Sequence, residues 1–186
     1  MARTVAIGIQ DFETCIVNDC FYIDKTSFIK EWWESKDSVT LITRPRRFGK
    51  TLNMSMLECF FSLKYADKKN LFENLEIWKE EKYRNLQGTY PVISLSFANV
   101  KTDTFEKTKT RICQILTDLY IKLDFLKDST SFTQKDREYF DRICEGMPET
   151  DATIALHKLC DYMQRYYGKK TIVLLDVYDT RMQEAY

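Results

Sequence analysis

Arg44-Pro45-Arg46-Arg47-Phe48-Gly49-Lys50-Thr51 places four cations, a glycine and a hydroxyl in eight consecutive positions. Residue types in this order can hold a polyphosphate. A glycine lets the backbone approach an anion where a Cβ would intrude. A lysine directly after it can reach the outer phosphates, and a following threonine can give its hydroxyl to Mg²⁺. Arginine adds planar, bidentate donors suited to phosphate oxygens, Pro45 stiffens the run, and Phe48 leads into the glycine. The run ends as a phosphate-binding loop ends, but Arg44 stands where GxxxxGK[ST] has its first glycine. The competing reading is a solvated basic turn at a helix start. It is disfavoured because the positive end of a helix dipole repels cations unless an anion sits among them.

A second acidic half would be an apolar strand that ends in aspartate. Thr171-Ile-Val-Leu-Leu-Asp176 supplies one, with Asp176 placed to share a Mg²⁺ shell with Thr51. An apolar run ending in an acid is common by itself; paired with a Gly-Lys-Thr loop it becomes more specific. Lys50 and Asp176 are thus the candidate catalytic residues, joined by Asp179 three positions on. The lone histidine, His157, has no second histidine to share a metal with and reads as a surface residue.

These side chains need elements to position them, and the chain alternates apolar runs of two periods. Ser38–Thr43, Pro91–Phe97 and Thr171–Asp176 are short, apolar and rich in β-branched residues, the pattern of strands. Phe28, Ile29, Trp32 and Trp33 share one helix face, and Leu52, Met56, Leu57, Phe60 and Phe61 share another. Phe105–Leu126 reads as one long helix. Thr133-Gln-Lys-Asp136 has the spacing of a capping box before a further helix, and the stretch through Leu156, Leu159, Met163 and Tyr167 ends at Gly168. Glu80-Glu81 falls on an expected loop. Strands alternating with helices predict an α/β fold with a mostly parallel sheet flanked by helices on both faces. Continuous apolar runs predict strands buried on both sides. Ligands of such sheets lie at the carboxyl ends of the strands, where Arg44–Thr51 and Asp176 would both fall.

Composition narrows the function. Lys+Arg and Asp+Glu balance at 28 each over 186 residues, which opposes a nucleic-acid-binding role through the Arg-rich loop. Hydrophobic residues make up 44%, enough for a packed core, yet no run is long and apolar enough to span a membrane. The N-terminus has no apolar leader, and the six cysteines form no CxxC pair. A cytoplasmic protein with reduced thiols is expected.

Four stretches together resemble the AAA-ATPase-like family: IGIQDF (7–12), FYIDKTSFIKE (21–31), LITRPRRFGKTLNMSML (41–57) and VLLDVYDTRMQEAY (173–186). These are bacterial P-loop proteins that commonly join an ATPase-like domain to a PD-(D/E)XK nuclease-like domain. The resemblance covers essentially the whole chain, and in that family an arginine-rich loop without the first glycine is the normal Walker A. It implies a P-loop NTPase-like sheet, binding of ATP with Mg²⁺, and ATP hydrolysis. It also matches Asp24 and Lys25 to an upstream motif that analogy places near the nucleotide. No NKxD-type guanine motif is visible, which favours adenine.

Two departures from the family pattern shape the expectation. Where Walker B commonly reads DEYDTP, this chain has Asp176-Val-Tyr-Asp179-Thr-Arg181. Val177 cannot polarise water, so hydrolysis should suffer while binding survives; Asp179 could act only from a different geometry. The chain also stops soon after Walker B, without the nuclease-like domain and without a later strand of the core. It reads as the N-terminal portion of an AAA-ATPase-like domain over residues 1–186, with an incomplete sheet. A fragment of a longer protein, completion of the sheet by another chain, or a rearranged sheet would each account for that.

Overall fold

The computed structural model describes residues 8–43, 45, 48–97, 100 and 104–177. It is a mixed α/β structure whose chain divides into two compact units, Met1–Val92 and Ile93–Tyr186.

In the first unit, α1 (Phe12–Val17) is short and depends on its cap. The Asp11 carboxylate accepts from the Thr14 N–H at 2.7 Å, and the Ser55 hydroxyl donates to its other oxygen at 3.1 Å. The helix α2 (Ser27–Ser35) buries Ile29 and lays Trp33 flat against Phe61, ring centroids 5.3 Å apart. The third helix, α3 (Lys50–Phe61), is the spine of the unit. Met56, Leu57, Phe60 and Phe61 are almost wholly buried, and Phe60 packs edge-on to Phe72, which stacks on Phe12.

The far end of α3 is closed by the chain returning after α4 (Glu81–Leu86). The Gly88 N–H donates to the Phe60 carbonyl at 2.8 Å, and the Tyr90 N–H to that of Phe61 at 2.9 Å. Two of the carbonyls a helix end leaves orphaned are thereby satisfied. Glu80 and Glu81 therefore open α4 and do not lie in a loop.

The second unit holds the sheet. Strands β1 (Val92–Ser96) and β2 (Ile172–Asp176) run parallel, and the Phe97 N–H donates to the Asp176 carbonyl at 2.9 Å. Three helices accompany them: α5 (Phe105–Lys122), α6 (Gln134–Arg142) and α7 (Glu149–Tyr167). Ile93 and Leu95 enter the same buried cluster as Leu116, Tyr120, Phe140 and Leu159. The Thr133–Asp136 capping box forms, and α7 ends at Gly168 in the left-handed region, φ 68°.

Three sequence expectations are corrected here. Ser38–Thr43 carries no strand, and Val39 and Leu41 are 86% and 82% exposed. β-branched composition favours a pleated, half-buried surface, but a strand exists only through its ladder, and among the described residues this run has none. The paired strands are also not buried on both sides: Ser94 and Ser96 of β1 and Leu175 of β2 are exposed. Finally, the long helix ends at Lys122, and Asp124–Asp128 winds as a separate 3₁₀ turn.

Candidate functional site

Gly49 is the hinge between loop and helix. It occupies the left-handed region at φ 75° and ψ 25°, where an L side chain is strained, and it serves as N-cap of α3. Its carbonyl accepts the first helical hydrogen bond, from the Asn53 N–H at 2.9 Å. Gly49 has no side chain with which to cap this helix start, and its first turn contains no acid. The N–H groups of a helix's first turn have no intrahelical acceptor, and the dipole there is positive. Lys50 is the first helical residue and Thr51 the second, both half-buried. Among the described residues no carboxylate pairs with the Lys50 ammonium. Just upstream, the Phe48 N–H donates to the Pro45 carbonyl at 3.4 Å, a loose turn that leaves the Phe48 ring 60% exposed. Arg44, Arg46 and Arg47 lie outside the described residues.

A second lysine stands at the same corner. A Cβ built on Gly49 would sit 3.6 Å from Nζ of Lys25. The turn that presents Lys25 is fastened on both sides. Asp24 accepts from the Thr26 N–H at 2.8 Å, from the Thr26 hydroxyl at 2.7 Å and from the Glu76 N–H at 2.7 Å. The fully buried Thr26 in turn accepts from the Ile77 N–H at 3.1 Å. Asp24 and Thr26 thus hold the backbone, and Lys25 between them carries its charge to the loop. No carboxylate among the described residues pairs with Lys25 either. Composition and spacing gave no hint of this placement; only the match to the upstream family motif pointed to that segment.

Beside Lys25 lies a half-open cleft of about 180 Å³, whose lining includes Ile9, Phe21, Tyr22, Ile23 and Leu52. The Tyr22 hydroxyl reaches Sδ of Met56 at 3.3 Å, and burial pushes its phenol up to about 12.

Asp176 is the last residue of β2, in the second unit, half-buried, and Val177 after it is 59% exposed. Asp179 lies outside the described residues. The Thr51 hydroxyl and the Asp176 carboxylate are each a hard oxygen donor of the kind Mg²⁺ takes. Among the described residues no cluster of three or more His, Cys, Asp or Glu side chains offers an alternative, all-protein metal cage. The six cysteines are free, four of them buried.

A mixed α/β chain whose basic, glycine-hinged loop opens a helix is the class of protein in view. The family model described as predicted AAA-ATPase matches residues 6–186. The chain belongs to the AAA-ATPase-like family. No curated protein and no solved structure matches it. No helix among the described residues is long and apolar enough to cross a membrane.

Proposed function

We propose that this protein binds ATP with Mg²⁺ through Phe48–Thr51, aided by Arg44, Pro45, Arg46 and Arg47, and that it hydrolyses ATP slowly or not at all. One observation carries the binding reading. A left-handed glycine opens a helix with no acid in its first turn, and among the described residues no carboxylate pairs with Lys50 or with Lys25, whose ammonium approaches that glycine. A triphosphate would meet the positive end of the helix and neutralise the cations together. Lys50 would contact the outer phosphates. Thr51 would offer its hydroxyl to Mg²⁺, which when bound would supply neutralising charge to the phosphates, and Asp176 carries a carboxylate of the kind that ion takes.

The turnover reading rests on Val177. An aliphatic side chain after the Walker B aspartate cannot accept a proton or orient water, and such a contribution is worth roughly 10²–10⁴-fold. This favours a second form of the same reading, a nucleotide-responsive module that regulates or assembles without turnover. The balanced charge speaks against use of the loop on a nucleic-acid backbone.

Calorimetry with Mg-ATP tests binding: the natural chain should bind, and Lys50→Ala should lose at least ten-fold in affinity. Unchanged binding in that variant refutes the loop as the site. Steady-state phosphate release tests turnover. Val177→Glu should raise a low or absent rate by about 10²-fold; a natural chain already turning over near 10 s⁻¹, a common enzyme value, removes the impaired reading.

A further inference from the structure

Cys15 and Cys20 stand at the two ends of the turn that closes α1. The Asp19 N–H donates to the Ile16 carbonyl at 3.1 Å and the Cys20 N–H to the Cys15 carbonyl at 3.0 Å, with Asp19 in the left-handed region at φ 47°. Two such bonds around a left-handed residue make a Schellman motif, in which the residue two beyond the cap folds back over the third residue from the helix end. Those two positions are Cys20 and Cys15, so the turn sets one cysteine against the other where an apolar pair frequently sits. They are 8% and 4% exposed, and their thiols lie within hydrogen-bonding reach of each other. The Cys20 thiol also donates to the Asn18 carbonyl at 3.9 Å, which keeps it inside the turn. Cys15 lines the half-open cleft of about 180 Å³, and small solutes can approach the pair from that side. Cys59 differs: it lies on α3 beside Tyr65, and burial pushes its thiol up to about 12.

We propose that Cys15 and Cys20 are a reversible redox site, which a low-molecular-weight disulfide converts to an intramolecular disulfide clasping the end of α1. The chemistry is thiol–disulfide exchange. One cysteine, as thiolate, attacks a sulfur of the small disulfide, whose S–S bond breaks and releases one small thiolate. The second cysteine attacks the sulfur of the first and expels the other small thiolate. The two protons given up by the cysteines end on the two released thiols, and two electrons pass from the pair to the small disulfide. Burial and then the neighbouring Cys20 thiol push the Cys15 thiol up, which slows the exchange but does not set its equilibrium. The equilibrium follows from the turn. Its hydrogen bonds already hold the two residues together in the reduced chain, so the second attack joins groups that are in place. None of this depends on the phosphate site.

The test equilibrates the full chain in glutathione buffers of graded ratio, then quenches with acid and alkylates free thiols in urea. Digestion with trypsin releases residues 4–25 as one peptide that holds Cys15, Cys20 and no other cysteine. As glutathione disulfide increases, this peptide should pass from two alkyl groups to none, lighter by two hydrogens, and dithiothreitol should restore both groups. The chain unfolded in urea should need a buffer at least about ten-fold more oxidising for half conversion, a difference of about 30 mV for this two-electron couple. Cys15→Ser and Cys20→Ser should each leave one cysteine that carries a single glutathione and closes no ring. Folded and unfolded titrations that coincide overturn the proposal, because the turn then contributes nothing. A peptide that keeps both alkyl groups across the whole series, or that stops at a glutathione adduct in the natural chain, overturns it as well.

Discussion

At the scale of single residues, two glycines show how one backbone need can have different physical causes. Gly49 and Gly88 both have positive φ, 75° and 69°. A Cβ on Gly49 would meet only Nζ of Lys25, at an ordinary 3.6 Å, so Gly49→Ala should cost about 1–2 kcal/mol of left-handed strain. A Cβ on Gly88 would lie 2.4 Å from Cα of Ala66, a backbone atom that cannot swing aside. Gly88→Ala should therefore cost about 3 kcal/mol or more, and should also strain the hydrogen bond that closes α3. Urea denaturation of the two variants reads the difference; equal losses would refute the steric argument. The need for a glycine at 49 was legible from the Gly-Lys-Thr spacing. That Lys25 faces it was not, because the two lie 24 positions apart in the chain.

At the scale of elements, α6 illustrates a helix whose start depends on charge. The Thr133 N–H and hydroxyl both donate to the Asp136 carboxylate, at 2.9 and 2.8 Å, and Arg165 of α7 reaches the same oxygen at 3.1 Å. Burial opposes ionisation of Asp136, but Arg165 and the Thr133 donors outweigh it and hold the carboxyl at about 2, below its ordinary 3.8. A folded-state pKa below the unfolded one stabilises above the unfolded value, and the benefit fades as pH falls from about 4 towards 2. Asp136→Asn should cost on the order of 2 kcal/mol at pH 7 and little at pH 2. Chemical denaturation at the two pH values checks this; a pH-independent cost would refute the electrostatic account.

The same scale shows what periodicity could and could not reveal. The helices α3, α5 and α7 each bury a stripe that repeats by threes and fours, while α2 was marked by the spacing of Phe28, Ile29, Trp32 and Trp33 and α6 by its capping box. The six-residue helices α1 and α4 carry too little pattern to be seen. They persist through tertiary contacts, such as the bond from the Phe12 N–H to Ser55 Oγ at 2.9 Å and that from the Tyr83 hydroxyl to Glu34 at 2.6 Å. Ser38–Thr43 failed in the opposite sense, because its composition favours a strand and among the described residues no partner strand completes it.

At the scale of the whole molecule, the two halves of the expected nucleotide site fall in different compact units. The loop and Lys25 are in the first; Asp176 is in the second. The sequence alone determined the Gly-Lys-Thr loop at a helix start, the apolar strand ending in Asp176, and the aliphatic Val177 directly after it. Those are properties of residue type and short-range order, and adjacent residues are enough to express them. The tertiary structure decided which strands pair, which faces stay exposed, and that a distant lysine and an apolar cleft stand beside the loop. These depend on groups far apart in the chain becoming neighbours, and no local pattern encodes the bonds from the Glu76 and Ile77 N–H groups to Asp24 and Thr26 that fasten the turn carrying Lys25.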